Sequence, residues 1–359
     1  MGIMNNIGNI NNIKYDGNNN DSKITTIETP SKVILFGEHA VVGGYMALSM
    51  AVDLKISGLL ECYDYIINNQ QPTTPEPIII DLIDLNKKVE INPQDILNIN
   101  LSNYDNDLKY VASTLKNTVN YLMDKNLMKL NPINNNIKPF KLTITSNIPI
   151  SCGLGSSASI IITIIKSILT VHNLILSKEE ISKIAYTVEK EVQGIASITD
   201  TSTIIYGGAL KIKDNKIKPI ENNDFNNLLA GCQFLIVHSE RRIKKTAELV
   251  NEVAKHPQKR QIFKQIGEIV EKAEFVKNKE ELGKLMVENH KLLNKLGVST
   301  EKLNKIVEIG QKLGYGAKLS GAGGGGIAII LINENKKEDL LNELNDLGVL
   351  GIYDCIIKY

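Results

Sequence analysis

The sequence predicts an α+β fold in two domains, and three observations carry that reading. A chain of 359 residues is too long for one ordinary core, if a domain takes about 150 residues. Helical and strand-like apolar periods both occur along it, with no internal repeat. Glycine-containing loops stand at two distant points, one before a helix (Ser151–Ser159) and one, almost free of side chains, before an apolar strand (Ser320–Gly326).

Composition narrows the class. Apolar residues make up 43% and charged residues 23%, as in a globular protein, and a net charge of +1 offers no field to attract nucleic acid or acidic membranes. No nucleic-acid or membrane partner is therefore expected. The longest apolar stretches, Ile160–Ile165 and Ile327–Ile332, are far shorter than the ~20 residues a spanning helix needs. The start lacks a charged-then-apolar secretory pattern. Cys62, Cys152, Cys232 and Cys355 stand far apart without a CxxC pair, which suits buried thiols in a reducing cytoplasm.

The elements follow in chain order. Residues 1–26 are an Asn-rich tail that cannot bury enough apolar area to offset its chain entropy, so disorder is expected. Biased codon usage explains that composition better than a binding role does. Order begins near Ile27, and KVILF (Lys32–Phe36) reads as a strand stopped by Gly37. Leu108, Val111, Leu115, Val119 and Leu122 recur at helical spacing, predicting a helix over Asp105–Lys125. KLTITSN (Lys141–Asn147) alternates like a strand, a glycine-containing loop follows, and helices are expected over Ser156–Val171 and Lys178–Val192. TSTIIYGGALKIKDNKIKPI reads as a strand and hairpin turning at Asp214–Asn215, with the domain boundary near Asn226. Beyond it come a strand FLIVH (Phe234–His238), helices through most of 241–313, and strands Ile327–Ile332 and Ile352–Ile357 flanking a helix at Glu338–Leu347.

Three segments carry chemistry. SCGLGSSAS (Ser151–Ser159) opens a helix, and glycines, serine hydroxyls and free N–H groups at a helix start suit a phosphate or a Mg²⁺-bound phosphate. A capping loop explains the same residues, whereas a dinucleotide fingerprint would need a second strand where 173–192 reads as helix. KLSGAGGGGIAII holds a loop, Ser320–Gly326, that must pass close to something or adopt conformations closed to larger residues, a flexible linker being the alternative. PSKVILFGEHAVVGG clusters Lys32, Glu38 and His39, where a lysine beside a phosphate or reacting hydroxyl would meet developing negative charge. Taken alone, that spacing better suits a solvated lysine, a capping glutamate and a satisfied histidine. The run Arg241, Arg242, Lys244, Lys245 is either a charged helix face or a cation for a carboxylate.

Together these segments resemble, in order and character, the three signature motifs of the GHMP kinases. Within that family GEHAVV and EKEVQGIASITDTST are most similar to the archaeal mevalonate kinase branch. The resemblance implies a two-domain GHMP-kinase fold with its active site in the cleft: an ATP-binding domain over 27–226 and a ferredoxin-like α+β domain over 227–359. It implies ATP and mevalonate as ligands, Mg²⁺ as the metal, and leaves a homodimer open. Residue by residue it makes Asp200 the catalytic aspartate and Lys32 the lysine beside it. Ser151, Cys152, Gly153, Leu154, Gly155, Ser156, Ser157 and Ala158 fall in the triphosphate loop. Ser157 and Glu189 match the Mg²⁺ ligands. Glu38, His39, Gly321, Ala322, Gly323 and Arg242 fall to the substrate. The activity implied is phosphorylation of mevalonate at its 5-hydroxyl. Phosphomevalonate or the 3-hydroxyl is the neighbouring alternative, and a non-catalytic ATP sensor the distant one. Ser197-Ile198 departs from the Ser-Gly that many relatives carry before the aspartate.

Overall fold

The structure, a computed structural model, describes residues 23–63, 76–128, 137–148, 153–194 and 197–359. The stretch 1–22, together with Ser151 and Cys152, lies outside the described residues.

In chain order the strands and helices begin with β1 (Lys23–Phe36), β2 (Ala47–Cys62), β3 (Ile78–Leu82), β4 (Lys87–Ile91), α1 (Asn106–Asp124), β5 (Phe140–Ser146), α2 (Ser156–Val171) and α3 (Lys178–Gln193). They continue with α4 (Ile198–Tyr206), β6 (Ala209–Lys213), β7 (Lys216–Pro219), α5 (Asn223–Ala230), β8 (Phe234–Glu240), α6 (Thr246–Ala254) and α7 (Lys259–Ala273). The last are α8 (Lys279–Lys295), α9 (Glu301–Leu313), β9 (Gly316–Ser320), β10 (Gly326–Leu331), α10 (Lys337–Asp346) and β11 (Gly351–Cys355). No helix among the described residues is long and apolar enough to cross a membrane.

The described residues fall into two compact units that interleave along the sequence: those within Met1–Thr29, Lys55–Asn147 and Ser157–Ala196 form one, and those within Pro30–Leu54, Ile148–Ser156 and Ser197–Tyr359 the other. In the first unit the later half of β2 pairs antiparallel with β5, which runs parallel to β3, and β3 turns back antiparallel into β4. Asp105 caps α1 by accepting from the Asp107 and Leu108 N–H groups, and Val111, Leu115, Val119 and Leu122 form its buried stripe. Ser177 and Glu180 close a capping box on α3. In α2, Ile161, Ile162, Ile164 and Ile165 are all buried, so the helix is apolar around most of its circumference because protein surrounds it.

In the second unit the early half of β2 pairs with β6, and β6 and β7 form the expected hairpin, turning at Asp214 and Asn215 with φ of 50° and 53°. A separate antiparallel sheet runs β11-β8-β10-β9. Helices α8 and α9 pack on it.

The structure departs from the sequence expectation in several places. β1 begins at Lys23, before Ile27. TSTIIY belongs to helix α4, not to a strand, because Ser197 caps its start by accepting from the Thr199 N–H and Gly207 ends it. Helix α5 occupies the expected boundary. Cys62 is only half-buried, unlike Cys232 and Cys355, which are buried as expected; none of the three is joined in a disulfide, and Cys152 lies outside the described residues.

Candidate active site

Lys32 projects from the later half of β1, whose neighbours Val33, Leu35 and Phe36 are fully buried. The lysine itself is only 3% exposed. A buried ammonium is tolerated only when paired and hydrogen-bonded. Here Lys32 Nζ lies 2.9 Å from Asp200 Oδ1 and donates to the Gly153 carbonyl at 3.1 Å. Its backbone N–H donates to the Leu154 carbonyl at 3.0 Å, so the glycine loop is fastened to the strand at two points. Gly155 holds a left-handed φ of 78° that favours glycine, and a Cβ there would also crowd Lys32 Cγ at 3.2 Å.

Asp200 sits in the first turn of α4, where a carboxylate is favoured by the helix dipole. Its side chain is 34% exposed, enough to meet a ligand. The helix is held to the strands through hydroxyls: the Thr203 hydroxyl lies 2.9 Å from that of Ser49, which donates to the Val33 carbonyl at 3.0 Å. A carboxylate beside a lysine ammonium and a glycine loop can hold a hydroxyl while stabilising negative charge that builds on a transferred phosphoryl group.

His39 forms the second group. It holds φ at 60°, uncommon for a residue with a side chain, at the entry to a short 3-10 turn, Ala40–Gly43. Its Nε2 donates to the Ala322 carbonyl at 2.9 Å, joining the turn to the Ser320–Gly326 loop. Burial pushes its pKa below the usual histidine value against the pull of that hydrogen bond, and the nearby Arg242 charge pushes the same way.

Glu38, expected to meet substrate, is 1% exposed and turned inward. It pairs with Lys318, which is fully buried on β9, and Asn289 Nδ2 donates to its other oxygen at 3.4 Å. Burial raises the glutamate pKa and lowers that of the lysine, while each partner opposes the other's shift. The Glu38 charge is thus compensated inside the fold by Lys318.

The glycine loop before β10 is packed, which removes the linker alternative. Ser320 Oγ donates to the Ile34 carbonyl and accepts from the Ile34 N–H, both at 3.0 Å. A Cβ on Gly323 would strike the Val298 carbonyl at 2.1 Å. The basic run divides: Lys244 pairs with Glu252 at 2.6 Å, while the Arg242 guanidinium lies against both glycine loops. Added Cβ atoms at Gly153, Gly321 and Gly326 would come within 2.4, 3.1 and 2.7 Å of its nitrogens. The run stands between β8 and α6, so it is not a helix face.

Lys32, Gly153–Ser156, Asp200, Glu38, His39, Gly321–Gly323 and Arg242 all belong to the second compact unit, whereas Ser157, Ala158 and Glu189 belong to the first. Ser157 and Ala158 open α2, and Glu189 lies on α3 at 5% exposure. Among the described residues no group of three or more His, Cys, Asp or Glu side chains could hold a metal ion. Sequence reasoning missed Lys318 and Asn289. Lys318 had a signal, a lone charge in the all-buried strand GAKLS; Asn289 had none.

Comparison with known proteins gives two family matches, GHMP kinases N terminal domain over residues 113–208 and GHMP kinases C terminal over 266–350. Mevalonate kinase of Methanocaldococcus jannaschii is 52% identical over 332 residues, covering 92% of this chain and 98% of that protein. The chain belongs to the GHMP kinase family. Another member, mevalonate kinase of Pyrococcus furiosus, is 33% identical over 86% of this chain and 89% of its own. The solved M. jannaschii mevalonate kinase superposes with a TM-score of 0.84 at 50% identity, covering 95% and 99% of the two chains. As in the rest of this kinase family, helices and sheets are mixed, in keeping with the α+β class expected from the sequence.

Proposed function

We propose that this kinase transfers the γ-phosphoryl group of ATP to the 5-hydroxyl of mevalonate, giving 5-phosphomevalonate and ADP in isoprenoid biosynthesis. The observation that carries phosphoryl transfer is the buried Lys32 ammonium bridging the Asp200 carboxylate and the Gly153 carbonyl. The substrate follows from 52% identity to a named mevalonate kinase over nearly the whole chain.

A carboxylate is too weak a base to deprotonate an alcohol beforehand. Asp200 therefore aligns the hydroxyl and takes its proton as the new O–P bond forms and the bond to ADP breaks. Lys32 stabilises both that carboxylate and the developing charge. Gly153–Ser156 offer backbone N–H groups to the triphosphate, and Arg242 and His39 offer cationic and polar contacts to the acid.

Mg²⁺ takes hard oxygen ligands, commonly one or two from protein with the rest from phosphate and water. The Ser157 hydroxyl and Glu189 carboxylate have that chemistry and would hold it, and when bound the ion would neutralise charge on the nucleotide phosphates. The unbridged state of Cys62, Cys232 and Cys355 among the described residues favours a cytoplasmic setting.

The test is kcat/KM for mevalonate and for phosphomevalonate under saturating Mg-ATP, with the product position assigned by ³¹P and ¹H NMR. Mevalonate should be preferred and the 5-phosphate formed. Higher efficiency on phosphomevalonate, or a 3-phosphate product, would overturn the substrate while leaving the kinase assignment standing.

A further inference from the structure

The turn that carries His39 is held from two sides. One is the hydrogen bond from His39 to Ala322. The other is α7, a helix that contributes to none of the three sequence motifs. A Cβ built on Gly43 would fall 2.6 and 2.9 Å from Phe263 Cδ2 and Cε2, so the phenyl ring fills the space a side chain at position 43 would need. The reverse contact lies beside it. Tyr45 rests on Gly267 of α7, where a built Cβ would stand 2.6 Å from Tyr45 Cδ1. The two rings meet edge to face, with centroids 6.4 Å apart and planes at 77°. Each element thus gives a ring to the other's glycine. Phe263 is 7% exposed, while Val42, on the outer side of the turn, is 68% exposed and lends little support there. Meanwhile His39, four residues before Gly43, holds a strained positive φ. Such a conformation persists only while its surroundings enforce it.

We propose that Phe263 is a positioning residue for the phosphoryl acceptor: seated on Gly43, with Tyr45 seated on Gly267, it sets the height of the 37–45 turn and so the place where His39 presents its ring. This rests on the reading above in which His39 meets the acid. The ring need not touch substrate. It acts by leaving the turn one position, between α7 and the Ala322 carbonyl: Gly43 is itself exposed, so at this point the ring, and not a surrounding core, sets the turn.

The test is a cycle of Gly43→Ala, Phe263→Leu and the double variant. Each single change should raise KM for mevalonate by ~5- to 20-fold, with kcat and KM for ATP within about twofold of the parent. The double variant, in which the new methyl occupies room vacated by the ring, should return to within about threefold. His39 ring signals, assigned by NMR with His39→Gln, should shift in both single variants and return in the double. Single effects that multiply in the double variant would overturn the proposal. So would equal changes in both KM values, or a lowered Tm with unchanged kinetics. If Gly43→Ala does not fold, Phe263→Leu decides alone, and an unchanged KM for mevalonate refutes the role. Should the parent not turn over mevalonate, the function assignment fails, and the NMR arm still decides whether the ring seats the turn.

Discussion

Asp200→Asn keeps the size of the side chain but removes the charge that Lys32 faces. The lysine, 3% exposed, then retains a carbonyl partner and loses its counter-ion. Turnover should fall by at least ~10²-fold, the usual scale for a positioned acid or base, with Mg-ATP affinity within a few-fold. Steady-state kinetics and direct nucleotide titration measure the two separately, and near-normal turnover would remove Asp200 from the chemistry. Lys32 and Asp200 were legible in the sequence only because their segments resemble a family. Spacing alone favoured a solvated lysine at Lys32 and did not single out Asp200. Glu38 shows the opposite limit. Its motif was legible but its orientation was not, since its partner Lys318 is 280 residues away and a local pattern cannot report a distant counter-charge.

At the scale of elements, legibility followed periodicity. The helix expected over Asp105–Lys125 is α1 at Asn106–Asp124, where one amphipathic face meets solvent and the other the core. β2 gave no such signal, because its first six residues are all buried and nothing alternates. α4 read as a strand because Ile and Thr dominate it, and its capping, not its propensity, decides the outcome. A pH dependence belongs to this scale too. His290 on α8 accepts the Leu319 N–H through Nδ1 at 3.2 Å and contacts Asn304 of α9 through Nε2 at 2.9 Å, so the neutral ring ties two helices to β9. Burial lowers its pKa from 6.5 to about 4; the Asn304 contact opposes that and the Lys318 charge adds to it. Because the folded value lies below the unfolded one, the unfolded chain binds the extra proton. Stability is therefore complete above about 6.5 and lost as pH falls toward 4. The share due to this ring is about 2 kcal/mol between pH 7 and pH 5. Denaturant unfolding at both pH values should show His290→Gln less stable at pH 7 but with a flatter decline, and parallel declines would deny the ring this role.

Across the whole molecule, three segments far apart in sequence meet at one point in the second unit. Ala51 N–H donates to the Gly208 carbonyl at 2.9 Å, Gly208 N–H to the Lys358 carbonyl at 2.6 Å, and Lys358 N–H to the Ala51 carbonyl at 2.8 Å. This closed ring of backbone bonds ties the start of β2, the end of α4 and the segment after β11. Tyr359 extends it by donating its hydroxyl to the Asn226 carbonyl at 2.8 Å. Gly207, the residue that ends α4, lies at φ 72° and ψ −179°, a region that essentially only glycine enters. An added Cβ there would also stand 3.0 Å from the Tyr359 carbonyl carbon. Gly207→Ala should therefore cost ~2–3 kcal/mol, joining backbone strain to a contact with main chain that cannot swing aside. Gly297→Ala supplies the comparison, since φ is 76° there but nothing lies within 4 Å of the new methyl, and strain of about 1 kcal/mol is expected alone. Because Asp200 lies about two turns from Gly207 on the same helix, Gly207→Ala should also lower kcat several-fold at temperatures where the protein remains folded, and Gly297→Ala should not. Equal stability losses in the two variants, measured by urea unfolding, would mean that the 356–359 segment does not confine position 207. Unequal losses with unchanged kcat would mean that the pin holds the fold without holding the aspartate.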